Sequence, residues 1–540
     1  MKKYQLFLIA CSTGILLSLG WPDKGFAPLL LAAFVPLLWV ENYIATDKEK
    51  RFGRFAGFFY SYIPFLIWNV LTTYWVWYST PVAVLAFTLN SLFMAFAFQL
   101  FHYTRKKLYK GIAGYFLLPV FWIAFEYAHL NWDGSWPWLT LGNGFATVPA
   151  FVQWYQFTGV FGGALWIFVC NVLALKLFKA VMEKKRIVRQ SVPLALVLFV
   201  PIGVSLIMYA TYKEPDTATP VEVVVVQPNV DPYNEQFSKS ATEITEQLLT
   251  LASQKTTDNT AFIITPESAL QGTIYEDEFD ESTNLQMIKS FVENHQQVSF
   301  VAGLSTRRTL PAGVTTPAMR EDKRRPGTYY EFCNAAMVID STNHLQLLHK
   351  SKLTPGVECM PLQKQLPFIK KMALDFGGTV GSLGTDEERN VFQSKTTGTK
   401  AGTVICYESV YGEYVGEYVR GGAELIFVIT NDGWWQDSPG YRQHFQYARL
   451  RAIETRKWIA RSANTGTSGI ISPKGDIIRK TNYWESDVFN ETLLANNSVT
   501  FYAKYGDYIG RLALISSGFL FLLAIVYGKV QKRKQPKKTH

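Results

Sequence analysis

Long apolar runs fill the first 212 residues of the chain, and one more lies close to its end. They cover residues 4–20, 26–45, 55–78, 82–102, 112–129, 156–180, 191–211 and 509–528. Each run is close to the ~20 residues that an α-helix needs to cross a bilayer. The pattern therefore predicts a multi-pass α-helical membrane bundle of about eight spans.

The short connections between these runs alternate in charge. The basic ones read "MKK", "DKEKRFGR", "TRKKLYK", "KKRIVR" and, in the tail, "KVQKRKQPKK". The opposite connections, "GWPDKGFA", "STP" and residues 129–155, contain a single lysine, Lys24. Because basic loops remain on the cytoplasmic side, both termini are predicted to be cytoplasmic and residues 212–508 to lie outside. A signal peptide ending at Cys11 is the alternative for the first run, but the run continues beyond this cysteine.

A different pattern begins after Lys213, where short β-branched runs alternate with helix-like stretches. The runs include "VEVVVVQPNV", "AFIITPES", "VSFVAGL", "GTVICYES" and "ELIFVIT", and the helix-like stretches are 240–253, 284–294 and 442–463. Strands that alternate with helices predict an α/β domain with strands buried on both faces. The predicted organisation is a seven-span domain (1–212), an α/β domain (213–507), and an eighth span with a basic tail (508–540).

Composition agrees with a membrane class, since 48% of the residues are hydrophobic and 15% are aromatic, which is rich for a soluble enzyme. The formal net charge of +10 would suit a nucleic-acid partner. The basic residues lie beside the apolar runs, however, and this placement predicts membrane orientation rather than nucleic-acid binding.

The five cysteines do not predict a disulfide framework or a metal site. Cys333, Cys359 and Cys406 lie in the α/β domain, an odd number without C-x-x-C spacing or a histidine-rich cluster. Cys406 differs from the others because it ends a strand-like run and precedes the helical-looking "YESVYGEYVGEYV". Amide donors at a helix start stabilise a thiolate, so Cys406 is predicted to be a nucleophile. An inert core cysteine is the alternative.

A nucleophile also needs a base and a group that stabilises developing charge. Two other predicted strand ends offer them: "TPES" contains Glu267, and "LHKSKLTPGVE" contains Lys350 and Glu358. A carboxylate that takes a proton from a thiol, with an ammonium beside the developing oxyanion, performs acyl transfer through a thioester. This chemistry requires neither a metal nor another cofactor.

These residues resemble the nitrilase superfamily, and within it the membrane-bound apolipoprotein N-acyltransferase family. The resemblance covers nearly the whole chain and rests on "SWPWLTLGNG", "QFTGVFGGALWIFVCN", "VVQPNVDPY", "TPESAL", "CYES", "NDGWW" and "HFQYARLRAIETRKWIARSANTGTSG". It implies an αββα catalytic sandwich in which Glu267 is the general base, Cys406 the nucleophile and Lys350 the donor near the oxyanion. Lys350 is preferred to Lys352 because it stands eight residues before Glu358.

The resemblance also implies roles around this triad. Glu358 would orient the lysine or the base, Tyr407 and Glu408 would support the pocket, and Trp434 would line the lipid entrance. The implied acyl donor is a phospholipid of the bacterial cytoplasmic membrane. The implied acceptor is the α-amino group of the diacylglyceryl-cysteine at the start of an apolipoprotein, and the product is a triacylated lipoprotein.

Two rival classes of function share parts of this pattern. A membrane-anchored amidase would use the same triad on a small amide, but it leaves the seven spans without a purpose. A transporter or sensor with an inactive outer domain would have no reason to retain all three catalytic residue types. The two enzyme hypotheses differ in product, since an amidase releases ammonia and an acyltransferase releases lysophospholipid.

Four other features carry expectations. Asn69, Asn90 and Asn171 are expected to hydrogen-bond between helices. Glu126 is either functional or a carboxylate that reaches the membrane interface. The basic loop 307–327 is expected to be mobile, with arginines that are solvated or meet anionic headgroups. Residues 360–376 are predicted to form a hydrophobic arm that guides acyl chains, with an inward-packed helix as the alternative.

Overall fold

A computed structural model of the protein describes the chain except for residues 48, 50, 110, 236–237, 362–381 and 535–540. The chain divides into two compact units. The first, here called the helical unit, comprises Met1–Tyr74, Ala83–Ala210 and Asp507–His540. The second, here called the sheet unit, comprises Trp75–Val82 and Thr211–Gly506.

Helices form in every apolar run that the sequence singles out. They are α1 (Lys3–Leu19), α2 (Val35–Ala45), α3 (Ala56–Thr73), α4 (Ala83–Leu108), α5 (Leu118–Leu130), α6 (Tyr155–Met182), α7 (Val188–Thr211) and the C-terminal helix (Tyr508–Lys534). Short 3-10 turns at Ala27–Leu31 and Ile112–Leu117 precede α2 and α5. Helix α3 ends five residues before the predicted end of its run, and Trp75–Val82 belongs to the sheet unit.

Six segments of the described chain are long and apolar enough to cross a membrane. They are Ala27–Ala45, Ala83–Leu108, Ile112–Leu130, Tyr155–Met182, Val188–Thr211 and Tyr508–Gln531. Helix α1 is apolar but has only 17 residues. The membrane class is thus supported by at least six helices, and the number of eight spans stays a prediction.

Polar side chains inside the helical unit bond from one helix to another. Nδ2 of Asn90 in α4 donates to Oδ1 of Asn69 in α3 at 2.7 Å. Nδ2 of Asn171 in α6 donates to the carbonyl of Leu30 at 2.8 Å, while its Oδ1 accepts from the amide of Phe34. These contacts confirm the expected bridging role of the three asparagines. A buried side-chain amide has no access to water and needs protein partners.

Glu126 in α5 is buried rather than directed to an interface. Its Oε1 accepts a hydrogen bond from Nε1 of Trp122 at 2.9 Å and from the amide of Leu141 at 2.7 Å. Leu141 lies in the "SWPWLTLGNG" segment, where two buried 3-10 turns form at Pro137–Leu139 and Leu141–Phe145. The carboxyl group therefore anchors this segment within the helical unit.

Two β-sheets form in the described residues of the sheet unit. The first has the order β14-β1-β2-β4-β6-β5, with β3 paired to β4 and β7 to β6, and the second has the order β13-β12-β11-β10-β9-β8. The first seven strands are β1 (Thr219–Gln227), β2 (Thr260–Ile264), β3 (Leu270–Tyr275), β4 (Ser299–Thr309), β5 (Arg320–Glu321), β6 (Tyr329–Asp340) and β7 (Gln346–His349). The others are β8 (Phe392–Gln393), β9 (Lys400–Ile405), β10 (Leu425–Thr430), β11 (Ile459–Ala463), β12 (Gly469–Ile471), β13 (Ile477–Lys480) and β14 (Asp487–Ala495).

The described part of the sheet unit also contains five α-helices. They are α8 (Ala241–Ser253), α9 (Thr283–Asn294), α10 (Gly412–Arg420), α11 (Pro439–Thr455) and α12 (Phe501–Tyr505). Helices α8 and α9 bury their apolar faces against the first sheet. On the second sheet the packing is close: a Cβ atom at Gly402 in β9 would lie 2.7 Å from Cβ of Tyr418 in α10.

Strand β1 shows why the two sheets stack. Its Val223 and Val225 join a core cluster that also contains Phe427 of the second sheet. The alternate residues Val224 and Val226 instead join the cluster formed with α8 and α9. Successive side chains of a strand point to opposite faces, so the all-valine run is buried on both. The layers are helix, sheet, sheet and helix, as the family resemblance implies.

The predicted helix 442–463 is correct in its first part only. Helix α11 ends at Thr455, and the next residue, Arg456, has a left-handed backbone with φ of 53°. The remaining residues form β11, which pairs in parallel with β10. The segment "IARSA" is extended because it pairs with a neighbouring strand. The periodicity of the sequence does not report such pairing, so the helical pattern gave the wrong prediction here.

Candidate active site

The three residues predicted as the triad each follow a strand. Glu267 stands three residues after β2, Lys350 directly after β7, and Cys406 directly after β9. Glu267 and Lys350 are buried and Cys406 is partly buried. The carboxyl ends of strands are where open α/β sheets place their ligand sites, so a shared site is expected there.

Lys350 is held between two carboxylates. Its Nζ lies 3.0 Å from Oε1 of Glu267 and 2.9 Å from Oε1 of Glu358. Burial alone would lower the pKa of Lys350, but the two adjacent negative charges outweigh burial and raise the pKa well above its ordinary value. Lys350 therefore remains an ammonium group, and the three charges together leave one negative charge in excess.

Asn334 in β6 joins the same cluster, and sequence analysis did not identify it. Its Nδ2 donates to Oε1 of Glu267 and to Oε1 of Glu358, both at 2.8 Å. Its backbone carbonyl accepts the amide of Lys350 at 2.8 Å. Asn334 thus contacts both carboxylates and the backbone of the lysine. The only sequence signal is a polar residue in the otherwise apolar run "CNAAMVID".

The second oxygen of Glu267 is held by the neighbouring sheet. Oε2 accepts the amide of Asn431 at 3.1 Å, and Asn431 directly follows β10. The backbone of Glu267 is also close to β4, since a Cβ atom at Gly303 would lie 2.6 Å from its Cα. Glycine is required at this position because any larger residue would displace Glu267.

Cys406 has a left-handed backbone with φ of 50°, which is unusual for a residue other than glycine. It begins a 3-10 turn, Cys406–Val410, and not the α-helix, which starts at Gly412. Burial, followed by the negative charge of Glu267, raises the pKa of the Cys406 thiol well above its ordinary value. The predicted thiolate stabilised by a helix start is therefore wrong, and the resting sulfur carries its proton.

A buried group of polar residues holds the backbone carbonyl of Cys406. The carbonyl of Cys406 accepts Oγ of Ser409 at 2.7 Å, and Nε2 of His444 lies 3.0 Å from the same carbonyl. On the other side of the ring, Nδ1 of His444 faces Oδ1 of Asp432 at 3.0 Å, and Arg461 pairs with Oδ2 of Asp432. These residues lie in the quoted motifs "NDGWW" and "HFQYARLRAIETRKWIARSANTGTSG", but no role was predicted for them.

Glu408 links the strand of the cysteine to the loop of the lysine. Its Oε1 accepts the amides of Ser351 at 2.6 Å and Lys352 at 3.2 Å, as well as the hydroxyl of Tyr414. Its Oε2 accepts the amide of Ile405 at 2.9 Å. Burial raises the pKa of Glu408. Glu408 thus contacts both the cysteine turn and the lysine loop, and its supporting role stays a prediction.

Tyr407, Lys352 and Trp434 occupy the periphery of this cluster. Tyr407 is buried and packs edge-to-face on Tyr411 at 5.3 Å between ring centroids. Lys352 is half-buried with Nζ 5.1 Å from the centroid of Tyr411, so it is not a plain surface charge. Trp434 is 36% exposed and packs edge-to-face against Tyr233; its role at a lipid entrance stays a prediction.

His349, directly before Lys350, belongs to a second buried charge cluster. Its Nε2 lies 2.8 Å from Oε1 of Glu276 and its Nδ1 lies 2.9 Å from Oδ1 of Asp386. Burial alone would lower the pKa of His349, but hydrogen bonds to the two carboxylates raise the pKa to about 9. Because both ring nitrogens face carboxylate oxygens, both donate, and the ring is an imidazolium.

Arg307 and Arg308 are fixed by this region and do not lie in a solvated loop. Arg308 pairs with Glu331 and, at 2.9 Å, with Asp386. Arg307 pairs with Asp322, and its guanidinium lies 3.8 Å from the ring centroid of Tyr330. The expectation of free arginines at 307–327 is wrong for these two, because β4 extends to Thr309. Most of the predicted hydrophobic arm 360–376 lies outside the described residues.

Two groups of side chains in the described part of the chain have the spacing of metal ligands. They are Glu276, Cys333 and His349, and Cys406, Asp432 and His444, with ligand atoms within 4.8 Å of one another in each group. In both groups the histidine nitrogens already face hydrogen-bond partners, so hydrogen bonding accounts for the clustering. The residues fit a polar support better than a metal site.

Known protein families match both parts of the chain. The sequence model of the carbon-nitrogen hydrolase family matches residues 222–496, which is half of the chain. The chain belongs to the carbon-nitrogen hydrolase family. The matched region contains Glu267, Lys350 and Cys406 and corresponds to most of the sheet unit.

The remainder of the chain sets this member of the family apart. Residues 13–173 match the apolipoprotein N-acyltransferase N-terminal domain. Two relatives named apolipoprotein N-acyltransferase span the full length: one from Chlorobaculum tepidum is 28% identical over 96% of each chain, and one from Geobacter metallireducens is 26% identical over 96% of this chain and 95% of its own. Nit3 of Saccharomyces cerevisiae, a nitrilase-superfamily structure, covers 51% of this chain and 90% of its own at 14% identity and a TM-score of 0.35.

Proposed function

We propose that the protein transfers a fatty acyl chain from phospholipid to the α-amino group of an N-terminal diacylglyceryl-cysteine, with Cys406 as the covalent carrier. The observation that carries the proposal is the buried cluster of Glu267, Lys350 and Cys406, in a chain whose two matched domains both occur in relatives named apolipoprotein N-acyltransferase. The relatives' name supplies the substrate class, and the cluster supplies the chemistry.

Charge balance in the cluster favours a concerted first step. A thiolate formed with Glu267 still ionised would bring four charges together with two negative charges in excess. The pKa of Cys406 is raised first by burial and then by this repulsion from Glu267. If the proton moves from the sulfur to Glu267, the cluster keeps an excess of one negative charge. Glu267 becomes neutral, and the sulfur nucleophile becomes negatively charged. Glu267 is therefore the base that a protonated thiol requires.

In the first half-reaction the sulfur forms a bond to the ester carbonyl carbon of the phospholipid. The Lys350 ammonium stabilises the negative charge that develops on the carbonyl oxygen. The ester carbon–oxygen bond then breaks, and the leaving alkoxide takes the proton from Glu267. The products are lysophospholipid and a thioester on Cys406.

In the second half-reaction the free amine of the apolipoprotein attacks the thioester. Glu267 accepts a proton from the amine, the carbon–sulfur bond breaks, and the thiolate regains its proton from Glu267. An amide on the lipoprotein is formed and the resting enzyme returns. Since one residue receives and then delivers the chain, the kinetics are ping-pong. No metal or other cofactor enters either half-reaction.

The neighbouring residues have supporting roles in this proposal. Glu358 is the second carboxylate that holds Lys350, beside Glu267. Glu408 and Tyr407 hold the cysteine turn and the lysine loop in fixed positions relative to each other. Trp434 lines the lipid entrance, for which its exposed ring is suited.

The proposal includes a location in the bacterial cytoplasmic membrane. Residues 1–212 and 508–540 form the membrane part with both termini in the cytoplasm, and residues 213–507 form the catalytic domain on the outer side. The alternation of loop charge supports this orientation. A reporter fused at Asp216 should give an outer-side signal and one fused at the tail a cytoplasmic signal; the reverse pattern would refute the orientation.

The amidase alternative is not favoured, because it leaves the match of residues 13–173 without a function. The two activities separate by product. Purified protein given phospholipid should release lysophospholipid, whereas an amidase given small amides would release ammonia.

Intact-protein mass spectrometry tests the covalent carrier. Protein incubated with phospholipid alone should gain the mass of one acyl chain, on the peptide that contains Cys406 and removable by neutral hydroxylamine. Cys333→Ser and Cys359→Ser are matched controls that should still gain the chain, whereas Cys406→Ser should not turn over. If wild-type protein acylates lipopeptide without ever gaining this mass, transfer is direct and the proposed role of the thiol is wrong.

A further inference from the structure

The connection between α3 and α4, Trp75–Val82, belongs to the sheet unit together with Thr211–Gly506. It lies outside the match to the carbon-nitrogen hydrolase family, residues 222–496. It lies inside the match to the apolipoprotein N-acyltransferase N-terminal domain, residues 13–173. The compact unit that holds the catalytic cluster therefore includes a segment from the other matched domain.

Trp75 is the first residue of this segment, and it is fully buried against the start of α11. Its Nε1 donates a hydrogen bond to Oε1 of Gln443 at 3.3 Å. A Cβ atom at Gly440 would lie 2.6 Å from Cδ2 of the indole ring, which is closer than two carbon atoms can pack. Glycine at position 440 therefore lets the ring reach the backbone of the helix.

A chain of contacts leads from Trp75 to the backbone of the nucleophile. The ring of Trp75 packs edge-to-face on Trp435, with 4.8 Å between the ring centroids. Trp435 packs edge-to-face on His444 at 5.5 Å, and Nε2 of His444 lies 3.0 Å from the carbonyl oxygen of Cys406. The connection between α3 and α4 thus reaches the nucleophile through two intervening side chains.

The Cys406 turn depends on contacts of this kind. The φ of Cys406 is 50°, and a residue other than glycine stays in this left-handed region only where the surrounding structure holds it. The nitrogens of the His444 ring are held by polar partners, which are Asp432, Arg461 and Ser409. Trp435 packs against the ring itself, and Trp75 fills the space beside Trp435. Removal of the Trp75 ring would leave a cavity into which both other rings can shift.

The far end of the same segment lies beside the loop that carries the lysine. A Cβ atom at Gly356 would be 3.7 Å from Cγ1 of Val82. Gly356 stands between Lys350 and Glu358 in the chain. The segment therefore lies next to both parts of the catalytic cluster, the cysteine turn at one end and the lysine loop at the other.

We propose that Trp75 is a positioning residue for the acyl transfer: through Trp435 and His444, it keeps the Cys406 turn in the geometry that presents the sulfur to the ester carbonyl. This inference rests on the proposed function and deepens it, because it assigns a role at the site to a residue outside the carbon-nitrogen hydrolase match. Trp75 acts through other residues and takes no part in making or breaking a bond.

Steady-state kinetics test this role. Trp75→Ala should lower kcat for lipopeptide acylation about three- to tenfold and keep KM within about twofold, because the nucleophile is displaced while substrate contacts remain. Trp75→Phe keeps a ring on Trp435 and loses the bond to Gln443, so it should recover most of kcat. A raised KM with unchanged kcat would make Trp75 a substrate contact and overturn the proposal.

A double-mutant cycle tests the route through His444. If Trp75 acts through this histidine, Trp75→Ala/His444→Ala should lose no more kcat than His444→Ala alone. Losses that multiply in the double variant would show that the two residues act independently, and the proposed route would be wrong.

Trp68→Ala is a matched control for the loss of packing. Trp68 in α3 is also fully buried, and the substitution removes the same side chain from the helical unit. Both variants should lower the melting temperature, but only Trp75→Ala should lower kcat per folded protein. An equal loss of kcat in the two variants would reveal a general effect of destabilisation and contradict the positioning role.

Gly440→Ala keeps the test valid if Trp75→Ala does not fold. Alanine favours a helix more than glycine does, so α11 should form. The added Cβ would lie 2.6 Å from the Trp75 ring and 3.2 Å from Cβ of Trp435, so the two rings must move. We expect kcat to fall about threefold or more; an unchanged kcat in folded Gly440→Ala protein would refute a role for this pair.

Alkylation of Cys406 separates this inference from the proposed function, because iodoacetamide needs no lipid. Its rate, followed by peptide mapping, should fall about three- to tenfold in Trp75→Ala and stay unchanged in Trp68→Ala. If it falls but wild-type protein gains no acyl mass from phospholipid, the positioning of the thiol stands and the proposed function fails. If wild-type protein gains that mass and Trp75→Ala is alkylated at the wild-type rate, the proposed function stands and this inference fails.

Discussion

Both compact units of the molecule contain buried glutamates, and one from each, Glu126 and Glu267, differ in the charge of their surroundings. Glu126 in the helical unit is 4% exposed and Glu267 in the sheet unit is 7% exposed. Glu126 accepts bonds from two neutral groups, the Trp122 indole and the Leu141 amide. Glu267 accepts bonds from the Lys350 ammonium, the Asn334 side chain and the Asn431 amide.

The comparison shows that burial alone does not make a carboxyl group a catalytic base. Glu126 joins a helix to a segment packed beside it, and no buried cation faces it in the described structure. Glu267 stands among groups whose charge changes when a proton moves, namely a protonated thiol and a fixed ammonium. The first is a structural anchor, and the second can exchange a proton with a reacting group.

The largest expected effect separates these two glutamates. Glu267→Gln should reduce acyl-enzyme formation and lipopeptide acylation by about 10³-fold or more, because it removes the proton acceptor. Glu126→Gln should keep activity within a few-fold and lower the melting temperature, since the new amide leaves a buried N–H group unpaired. Activities are measured per folded protein after size-exclusion chromatography. Comparable losses in the two variants would remove the distinction between base and anchor.

The next effect concerns the cation beside Glu267. Lys350→Ala should lower turnover by about 10²- to 10³-fold through loss of oxyanion stabilisation, and should destabilise the protein because two buried carboxylates are left together. Lys352→Ala, two residues away, should be much milder. The double variant Lys350→Ala/Glu358→Gln should regain stability but not activity, which separates charge balance from catalysis. Activity that returns with stability would show the lysine to be structural.

A smaller effect is expected from the residues that bond to the backbone carbonyl of Cys406. His444→Ala removes the bond to the Cys406 carbonyl, so the strained turn loses a restraint and kcat should fall about tenfold with little change in KM. His444→Gln, which keeps an N–H donor, should recover part of the loss. A change in KM alone would indicate a substrate contact and contradict this positioning role.

The smallest effect is a pH dependence of stability from His349. Its pKa is raised from the ordinary 6.5 to about 9, so its stabilisation is complete below about pH 6.5 and is lost as pH rises through about 9. The shift corresponds to at most about 3 kcal/mol. The melting temperature of wild-type protein in detergent should exceed that of His349→Gln at pH 6 and approach it near pH 10. A constant difference across this range would show that His349 is not charged.

Local pattern was sufficient to predict the positions of the principal site residues. Glu267 and Cys406 follow strands whose β-branched residues are visible in the sequence, and Lys350 follows the short leucine-containing strand β7. The contact between Glu267 and Asn334 spans 67 residues. No local pattern reports a contact of that separation, so Asn334 was missed.

The sequence by itself determined the apolar runs, the alternation of strands and helices and the strand ends that present the chemistry, because each depends on the spacing of side chains along one short segment. Only the tertiary structure decided the protonation of the site. The pKa of Cys406 is raised by burial and by a carboxylate from another strand, whereas a local argument from the following helix predicted the opposite sign. Charges act through space and burial depends on the whole fold, so neither can be obtained from the order of residues along the chain.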